Sequence, residues 1–552
     1  MSHESTSGRW NRGTPSSAMS TAKTRFGIAC LWFVVVAALL FRIHALTNVK
    51  EGLTHDESIA WLCAAAAESR FTEELPGLVD HPVPASSFHA FLQRPASFAF
   101  RTVARDLALT DIHPPLFFWG LHVQHVLVGL TPQNQSAINL SLALVTLGLV
   151  YRMGLRFSGS HAMGMVCAAV WFLSPAVIGI EFQTRHYPLF AVLVLLAIDL
   201  GDRLIAGDRS PWIAVMFCLV CAAGMLTHYF FVIAMVPGAL MMLALHRLGT
   251  QSRLYFGAAV VALALFLLCF PEFFDFLRMK AVVRGGAVDG GGGLAAAIPG
   301  RLKSLAVGAA EYFTLWRSLL PVYALAMLAV FGAACLRLVR SHSTESPDPV
   351  RLTLNEPTIR YAVFLAWFFF FTAILYLAGV SPPHAFRGQY FAYIWPLASV
   401  FVVLIVRGVV PLRLGGVCLV LHLLQTIASW PDVIQSFDLR PAVPVAWTNA
   451  CDWSETVVTN DLRRGFLLRN LIDLRADLPV VAVSDTSAIA TVNADEVMTL
   501  VLENPRNVSP ADLRAAMEEN RFRQRGPHLD AADERTSQWD PMTLSPWRRV
   551  GP

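Results

Sequence analysis

The sequence predicts an all-α protein that crosses a membrane many times and carries a small α/β domain at its C-terminal end. Of its 552 residues, 55% are hydrophobic and only 15% are charged, and the mean hydropathy is +0.51. A soluble globular protein is far less apolar. Apolar runs suited to transmembrane helices recur up to Trp430, and beyond that residue the composition is that of a soluble domain.

The first apolar run predicts an uncleaved membrane anchor. Residues 1–25 are polar and contain four basic side chains, and the run from Phe26 to Leu46 follows directly. This run is long enough to span a bilayer and lacks a small-residue cleavage site. Basic residues ahead of a span favour the cytoplasmic side. We therefore expect residues 1–25 to form a cytoplasmic tail.

The segment 47–132 is expected to be a long loop on the outer face, because it follows the first span. Its apolar run Leu116–Leu130 has only about 15 residues, fewer than the ~20 that a crossing needs. Polar side chains also interrupt that run. We expect it to lie in the membrane interface as a helix, together with other amphipathic pieces of the loop.

This placement of the loop determines the topology of the rest of the chain. All the short loops rich in arginine then fall on the cytoplasmic side, as the positive-inside rule requires. The result is a transmembrane domain over 26–430 with about eleven spans, the N-terminus inside and the C-terminus outside. The later spans are expected at 136–152, 162–180, 187–201, 211–227, 229–245, 254–271, 318–336, 361–379, 391–406 and 411–430.

The C-terminal part is expected to be a soluble α/β domain on the outer side, over 431–526, followed by a disordered tail at 527–552. A helical pattern covers 462–474, strand-like runs cover 479–484 and 497–503, and a helix start follows Ser509. Most of the nine cysteines lie in apolar runs and are expected to pack there. Cys63 and Cys451 would share the outer side, and the sequence leaves their pairing open.

Polar side chains that interrupt apolar segments gather at the predicted outer boundary of the membrane. Ionisable groups are costly there, so such a cluster indicates a site. Taken singly, each has a simpler explanation, such as a solvated acidic loop at Asp56 and Glu57, or a helical i,i+4 ion pair between Glu181 and Arg185. The candidates are Asp56, Glu57, His113, Glu181, Arg185, Tyr187, His228, Arg387 and Tyr390.

The chemistry that fits these residue types is the attack of an acceptor on a lipid-bound group activated by phosphate. A carboxylate can act as the general base for an acceptor hydroxyl. Arginine suits a departing phosphate, because its planar fork donates two hydrogen bonds to two oxygens. Carboxylates with histidine could equally hold a divalent metal ion, and the sequence leaves its ligands open. The net charge of +4 gives no indication of nucleic-acid binding.

Five short motifs contain these candidates. They are Asp56-Glu57, Asp111-Ile112-His113-Pro114-Pro115-Leu116, Glu181-Phe182-Gln183-Thr184-Arg185-His186-Tyr187-Pro188-Leu189, Thr227-His228-Tyr229 and Arg387-Gly388-Gln389-Tyr390. Together, these motifs resemble the GT-C membrane glycosyltransferases of family 39, in the branch of bacterial relatives of the dolichyl-phosphate-mannose protein mannosyltransferases. The resemblance runs in order and spacing from about residue 27 to residue 430, and only these short motifs carry it.

The resemblance implies a polyprenyl-phosphate sugar donor, inversion at the anomeric carbon and helices of the first outer loop lying on the membrane. It also implies roles by position. Asp56 corresponds to the catalytic carboxylate, Glu57 to its partner and Glu181 to the acidic position of the second loop. Matching arginine and tyrosine positions are Arg185 with Tyr187, and Arg387 with Tyr390 near the donor phosphate. His186 and Pro188 depart from many relatives, which leaves metal use and the sugar open.

The expected function is therefore an inverting transfer of a sugar from a polyprenyl-phosphate donor to an acceptor hydroxyl. The active site would face the periplasm or exterior of a bacterial inner membrane. The acceptor, whether protein, lipid or glycan, stays open. One alternative is a transporter or flippase of a lipid-linked or anionic solute, although such proteins tend to place charges at the midplane and to show internal repeats. Another is a non-catalytic relative that binds a partner.

Overall fold

The computed structural model describes residues 15–50, 53–110, 113–246, 249–278, 299–303, 312, 325, 357–378, 392–409, 412–431, 454–460, 462, 467–468, 471, 474–502, 508–525, 529–530 and 542–550. Within these residues the protein is mainly helical, with one mixed β-sheet built largely from the C-terminal part. Seven residues named above lie outside the described ranges, namely Asp111, Ile112, Arg387, Gly388, Gln389, Tyr390 and Cys451. So do nearly all of the predicted span 318–336 and most of the predicted helix 462–474.

The helices fall into three groups along the chain. A long first helix, α1, covers Pro15–Asn48. The first outer loop contributes α2 (His55–Ala64), α3 (Glu68–Glu74), α4 (Ser86–His89), α5 (Phe100–Thr110) and α6 (Leu116–Val128). The remaining helices are α7 (Ala137–Ser158), α8 (His161–Phe172), α9 (Pro175–Phe182), α10 (Tyr187–Ile205), α11 (Pro211–Met225), α12 (Phe231–His246), α13 (Thr250–Cys269), α14 (Pro357–Ala378), α15 (Trp395–Val409), α16 (Leu412–Ala428) and α17 (Pro510–Glu519).

Among the described residues, three helices are long and apolar enough to cross a membrane, namely Gly27–Asn48 of α1, α7 and α13. The bent pair α8 and α9 makes a fourth if it counts as one span. Helix α6 has 13 residues, so it is shorter than the ~20 needed for a crossing, as predicted. The predicted total of about eleven spans remains a prediction.

The predicted continuous span 162–180 is broken in the structure. Helix α8 ends at Phe172, α9 begins at Pro175, and the two axes differ by 59°. The cause is local, because Pro175 has no amide hydrogen to donate and disfavours helical geometry at Ser174. The hydroxyl of Ser174 instead donates a hydrogen bond of 2.7 Å to the Tyr312 carbonyl.

Helix α7 joins two polar levels of the protein. Ser136, just before its first turn, accepts a hydrogen bond from Lys50, while Arg156 in its last turn pairs with Asp199. Twenty residues of α-helix rise about 30 Å, which equals the thickness of a bilayer's hydrocarbon core. The two levels are therefore separated by the distance that a membrane requires.

The level that contains Arg156 is an ion-pair network at the end of α10. Asp199 lies 3.2 Å from Arg152 and 3.0 Å from Arg156, and Asp202 lies 2.6 Å from Arg156 and also pairs with Arg360 of α14. Since buried carboxylates need such partners, the network explains how an otherwise apolar helix can carry two acids. It also brings together arginines that the sequence assigned to one side of the membrane.

The packing of α7 against α8 depends on two glycines. A Cβ atom at Gly154 would lie 2.9 Å from the sulfur of Cys167, and one at Gly164 would lie 2.8 Å from the carbonyl oxygen of Tyr151. Small residues at such crossings allow two helix backbones to approach closely. The hairpin between them turns at Gly159, whose φ of +64° is in the left-handed region that glycine favours.

The strands of the sheet are β1 (Val83–Pro84), β2 (Thr456–Thr459), β3 (Pro479–Ala482), β4 (Glu496–Leu502), β5 (Phe522–Gln524), β6 (Leu529–Asp530) and β7 (Met542–Arg549). Their order is β1-β3-β2-β4-β7-β5, with β6 paired to β7. Strand β2 is parallel to both β3 and β4, and the other neighbours are antiparallel. The predicted strands at 479–484 and 497–503 correspond to β3 and β4.

The prediction of a disordered tail at 527–552 is wrong for its two strands. Strand β7 pairs with β4 from Met542 to Arg548, and Trp547 is 3% exposed, with its ring nitrogen 2.9 Å from the Thr499 hydroxyl. The sequence of β7 alternates apolar and polar residues only from Met542 to Ser545 and then contains a proline and two arginines, so its strand signal is short. Its order comes from partner strands that lie far away in the sequence.

The first outer loop and the C-terminal part share one core, so the predicted boundary at residue 431 does not separate two independent units. Strand β1 of the loop pairs with β3, and the Asp80 carboxylate accepts a hydrogen bond of 2.7 Å from the Ser484 amide. His89 also lies 2.6 Å from the Leu471 carbonyl oxygen. Apolar side chains from both parts form one buried cluster. The first outer loop is therefore fixed by contacts with the C-terminal part as well as by contacts with the helices before residue 431.

His125 of α6 gives this shared core a predicted sensitivity to acid. Burial lowers the pKa of its imidazole to about 4, from an ordinary value of 6.5. Between these two pH values the unfolded chain binds a proton that the folded chain does not. We therefore expect stability to fall as the pH drops from 6.5 to about 4, by at most about 1.4 kcal/mol per pH unit from this group.

Thermal unfolding in detergent, measured against pH for the wild type and for His125→Asn, checks this expectation. Asparagine can keep the acceptor for the Leu130 amide, which lies 3.1 Å from the imidazole Nδ1. The variant should lose stability less steeply over that range. Equal slopes in the two proteins would contradict a neutral buried imidazole.

Candidate functional site

The N-terminus of α2 presents the two adjacent carboxylates. Thr54 is the N-cap, its hydroxyl accepts a hydrogen bond from the Glu57 amide, and the Glu57 side chain accepts one of 2.9 Å from the Thr54 amide. This capping box fixes the first turn of the helix. Asp56 therefore lies in that turn, where the positive end of the helix dipole stabilises its negative charge.

Glu57 is completely buried and serves as an anchor. One of its oxygens pairs with the Lys50 ammonium and accepts a hydrogen bond of 3.1 Å from the Thr184 amide. Lys50 also donates hydrogen bonds of 2.6 Å to the Phe182 carbonyl and 2.7 Å to the Ser136 hydroxyl. Burial lowers the pKa of Lys50, and Glu57 opposes that shift. These contacts attach the start of α2 to the segment between α9 and α10.

Asp56 is the more accessible member of the pair, with a side chain that is 24% exposed. Its Oδ1 atom lies 3.2 Å from an Arg185 nitrogen and 3.2 Å from the His55 ring. The Arg185 side chain is 9% exposed. An acid accessible from solvent and a largely buried guanidinium therefore meet at one point, contributed by the first and second outer loops.

Glu181 has a different environment. Its side chain is 3% exposed, and one oxygen lies 2.6 Å from the Arg42 guanidinium of α1. Arg42 is completely buried, donates to the Phe172 carbonyl and lies 3.9 Å from the centre of the Phe172 ring. The cavity beside Glu181 has a volume of about 20 Å³, which is room for one water molecule and not for a sugar.

Three histidines from separate segments form a cluster, and one of them, His186, directly follows Arg185 in the sequence. The ring centres of His113 and His186 are 4.3 Å apart, those of His186 and His228 are 5.1 Å apart, and those of His113 and His228 are 6.1 Å apart. His186 is completely buried, and neither of its ring nitrogens has a hydrogen-bond partner among the residues that the structure describes. The Tyr187 ring lies 4.5 Å from the His186 ring.

Two imidazoles of this cluster, those of His186 and His228, have pKa values lowered by burial. Burial and, to a smaller extent, the neighbouring His113 lower the pKa of His228 to about 3. Burial likewise holds the pKa of His186 well below its usual range, helped by His113, His228 and Arg185. Neutral imidazole has a lone pair for a hydrogen bond or a metal ion.

The structure groups the predicted residues differently from the sequence. Asp56 contacts Arg185, whereas Glu57 and Glu181 are each bound to a buried cation that the sequence analysis missed. Lys50 and Arg42 are the only charged residues in and just after the first apolar run, between Phe26 and Lys50, which is a signal that could have found them. His186 belongs to one of the motifs that carry the resemblance, but it was not among the predicted site residues. Arg387 and Tyr390 lie outside the described residues.

Comparison with known proteins leaves the family unassigned. No protein-family model matches the sequence. No curated protein matches it either.

Among solved structures, ArnT from Cupriavidus metallidurans bound to undecaprenyl phosphate is 12% identical, with a TM-score of 0.48, over 93% of this chain and 98% of that one. The same protein in the apo state is 15% identical, with a TM-score of 0.34, over 94% and 98%. The archaeal oligosaccharyltransferase AglB from Archaeoglobus fulgidus, in complex with an inhibitory peptide and a dolichol-phosphate, is 10% identical, with a TM-score of 0.39, over 85% and 69%. Since these identities and TM-scores are low, the function has to be inferred from this chain's own residues.

Proposed function

We propose that this protein is a membrane glycosyltransferase that moves one sugar from a polyprenyl-phosphate donor to an acceptor hydroxyl on the outer side of the membrane. The observation that carries the proposal is the contact of Asp56 with Arg185 at 3.2 Å. It combines a solvent-accessible carboxylate with a cation at the predicted outer boundary of the membrane. A base and an anion-binding group are the two parts that this reaction needs.

Asp56 acts as the general base in this proposal. Of the three carboxylates predicted to be catalytic, it alone has a side chain exposed enough to meet an acceptor, at 24% against 0% for Glu57 and 3% for Glu181. Its carboxylate removes the proton of the acceptor hydroxyl as the oxygen attacks the anomeric carbon. The bond from that carbon to the phosphate oxygen breaks, and the lipid phosphate leaves with the electron pair.

Arg185 binds the phosphate of the donor. Guanidinium is suited to phosphate, because it donates two parallel hydrogen bonds and keeps its charge when partly buried. A phosphate that engages Arg185 competes with Asp56 for the same cation. Donor binding then releases Asp56 towards the acceptor, so the base is fully available only when the donor is bound.

Replacement of Arg185 by lysine tests this role. Lysine keeps the positive charge and loses the two-pronged geometry. Loss of one charge-assisted hydrogen bond costs about 1.5 to 3 kcal/mol, so we expect kcat/KM for the lipid donor to fall about tenfold to a hundredfold. The measurement is steady-state transfer of sugar from a polyprenyl-phosphate donor by the full chain in detergent.

The matched control is Arg203→Lys, which alters an exposed ion pair of 3.0 Å with Asp208. It should leave kcat/KM unchanged. If Arg185→Lys behaved like this control, Arg185 would not contact the donor.

The reaction itself is tested by deleting the gene and identifying the accumulated glycolipid by mass spectrometry. The compound expected to accumulate is the unused donor, a sugar linked to polyprenyl phosphate. The purified protein should consume this donor and release polyprenyl phosphate. If the purified protein moved the intact glycolipid across vesicles without cleaving it, the alternative of a flippase would replace the transferase.

A further inference from the structure

The histidine cluster has the ligands of a metal site. His113 precedes α6, His186 precedes α10, and His228 lies between α11 and α12. The three residues each offer a ring nitrogen, and these atoms lie within 4.8 Å of one another. We propose that His113, His186 and His228 together bind one Zn²⁺ ion.

The unsatisfied state of His186 independently points to a ligand. Its side chain is completely buried, and within the described part of the chain both ring nitrogens lack a hydrogen-bond partner. Buried polar groups are nearly always bonded, because an unpaired one has lost its hydrogen bonds to water without replacing them. A metal ion at the centre of the cluster would give one of these nitrogens a partner.

The geometry requires a modest contraction of the cluster. Zinc binds histidine nitrogen at about 2.0 to 2.1 Å in a tetrahedron, so ligand nitrogens lie about 3.3 Å from one another. Side-chain rotations of the three rings can close the remaining gap. The Nδ1 atom of His228 accepts a hydrogen bond of 3.1 Å from the Phe230 amide. Ligation through Nε2 moves the ring proton to Nδ1, so that hydrogen bond is exchanged for the metal bond.

The ligand chemistry favours zinc over magnesium or calcium. Magnesium and calcium prefer carboxylate and carbonyl oxygens, whereas imidazole suits zinc and its neighbours in the transition series. The nearby carboxylates are already engaged, since Asp56 pairs with Arg185 and Glu57 with Lys50. Among the described residues, only the histidine cluster groups three potential ligand side chains.

The charge of the site predicts the nature of a fourth ligand. Imidazole ligands carry no negative charge, so the full +2 charge of the ion would stay in a partly buried position, close to the cation of Arg185. A buried charge requires a counter-charge, and zinc with three protein ligands keeps one position open. The fourth ligand is therefore an anionic oxygen. Its identification as the donor phosphate rests on the proposed function, whereas the metal site itself does not.

Metal analysis of the full chain purified in detergent tests the site without any transfer assay. The protein is dialysed against metal-free buffer and titrated with Zn²⁺. Inductively coupled plasma mass spectrometry should then find about one zinc ion per chain. His186→Leu and His113→Ala should weaken zinc binding by more than the 10- to 100-fold typical for loss of an outer partner of a ligand. His161→Ala should bind like the wild type, because His161 lies at the start of α8 and contacts Tyr151.

A stability measurement separates a ligand from a merely buried histidine. Zn²⁺ should raise the unfolding temperature of the wild type and leave that of His186→Leu unchanged. A structural histidine would instead give the same response in both proteins. Zinc content in His186→Leu equal to that of the wild type, or no zinc-dependent shift in the wild type, would overturn the proposal.

Cobalt substitution tests the open position. Co²⁺ in a four-coordinate histidine site gives intense visible absorption bands, and inorganic phosphate, which offers an anionic oxygen, should shift them by taking the fourth position. Bands that do not respond to phosphate overturn the open position. Loss of sugar transfer with normal metal binding would contradict the proposed function and leave the metal site standing.

Discussion

Replacing Asp56 by asparagine is expected to lower sugar transfer about 10²- to 10⁴-fold, which is the range that general acid–base catalysis contributes. Asparagine cannot accept the proton of the acceptor hydroxyl. The capping box of Thr54 and Glu57 holds the helix start, so the variant should fold. Donor affinity should stay the same or increase, because Asp56 no longer competes for Arg185. Turnover and donor binding, each measured per folded molecule, check both expectations.

Two matched variants make this result specific. Asp208→Asn removes another carboxylate that is 31% exposed and paired with an arginine, and it should leave transfer unchanged. Glu57→Gln should lower the yield of folded protein instead, because it leaves the buried Lys50 ammonium without its carboxylate. Substantial turnover by Asp56→Asn would assign the base to another group.

Replacing Arg42 by methionine is expected to destabilise the protein by about 3 to 5 kcal/mol, because it leaves the Glu181 carboxylate buried without a cation. The side chains of both residues are almost fully buried, at 0% and 3% exposure, so solvent cannot compensate for the loss. The measurement is the apparent unfolding temperature in detergent. Arg278→Met, which alters an exposed pair with Asp275, should change that temperature little.

The double variant Arg42→Met with Glu181→Leu distinguishes a structural role of Glu181 from a catalytic one. A buried ion pair replaced by apolar side chains is often neutral or stabilising, so the double variant should recover most of the lost stability. If Glu181 only supports the fold, transfer returns with stability. If Glu181 is catalytic, as the motif resemblance implies, the recovered protein stays inactive. Losses that simply add in the double variant would contradict a direct pair.

Much of the helical architecture was predictable because it follows from local apolar content. The predicted spans at 187–201 and 254–271 match α10 and α13 within a few residues. The break between α8 and α9 was signalled by Pro175, but a hydropathy pattern does not register a change of direction. Strand β7 was missed for a different reason, since its pairing with β4 depends on distant residues rather than on its own periodicity.

The candidate site was predicted in part. The sequence placed Asp56 and Arg185 at one boundary of the membrane, and the structure brings the two side chains within 3.2 Å. The partners Lys50 and Arg42 were missed, because a lone basic residue in or near an apolar span is most simply a residue at its end. His186 was missed as a site residue, because its meaning depends on two other histidines that the sequence places far away.

The sequence by itself determined that the protein is apolar and helical over most of its length, and which polar residues interrupt its apolar runs. These are local properties, readable from composition and spacing. Only the tertiary structure decided how the carboxylates differ. Asp56 is accessible, while Glu57 and Glu181 are bound to buried cations. The physical reason is that burial and pairing are properties of contacts between distant segments, and adjacent residues such as Asp56 and Glu57 point to different partners from one helical turn.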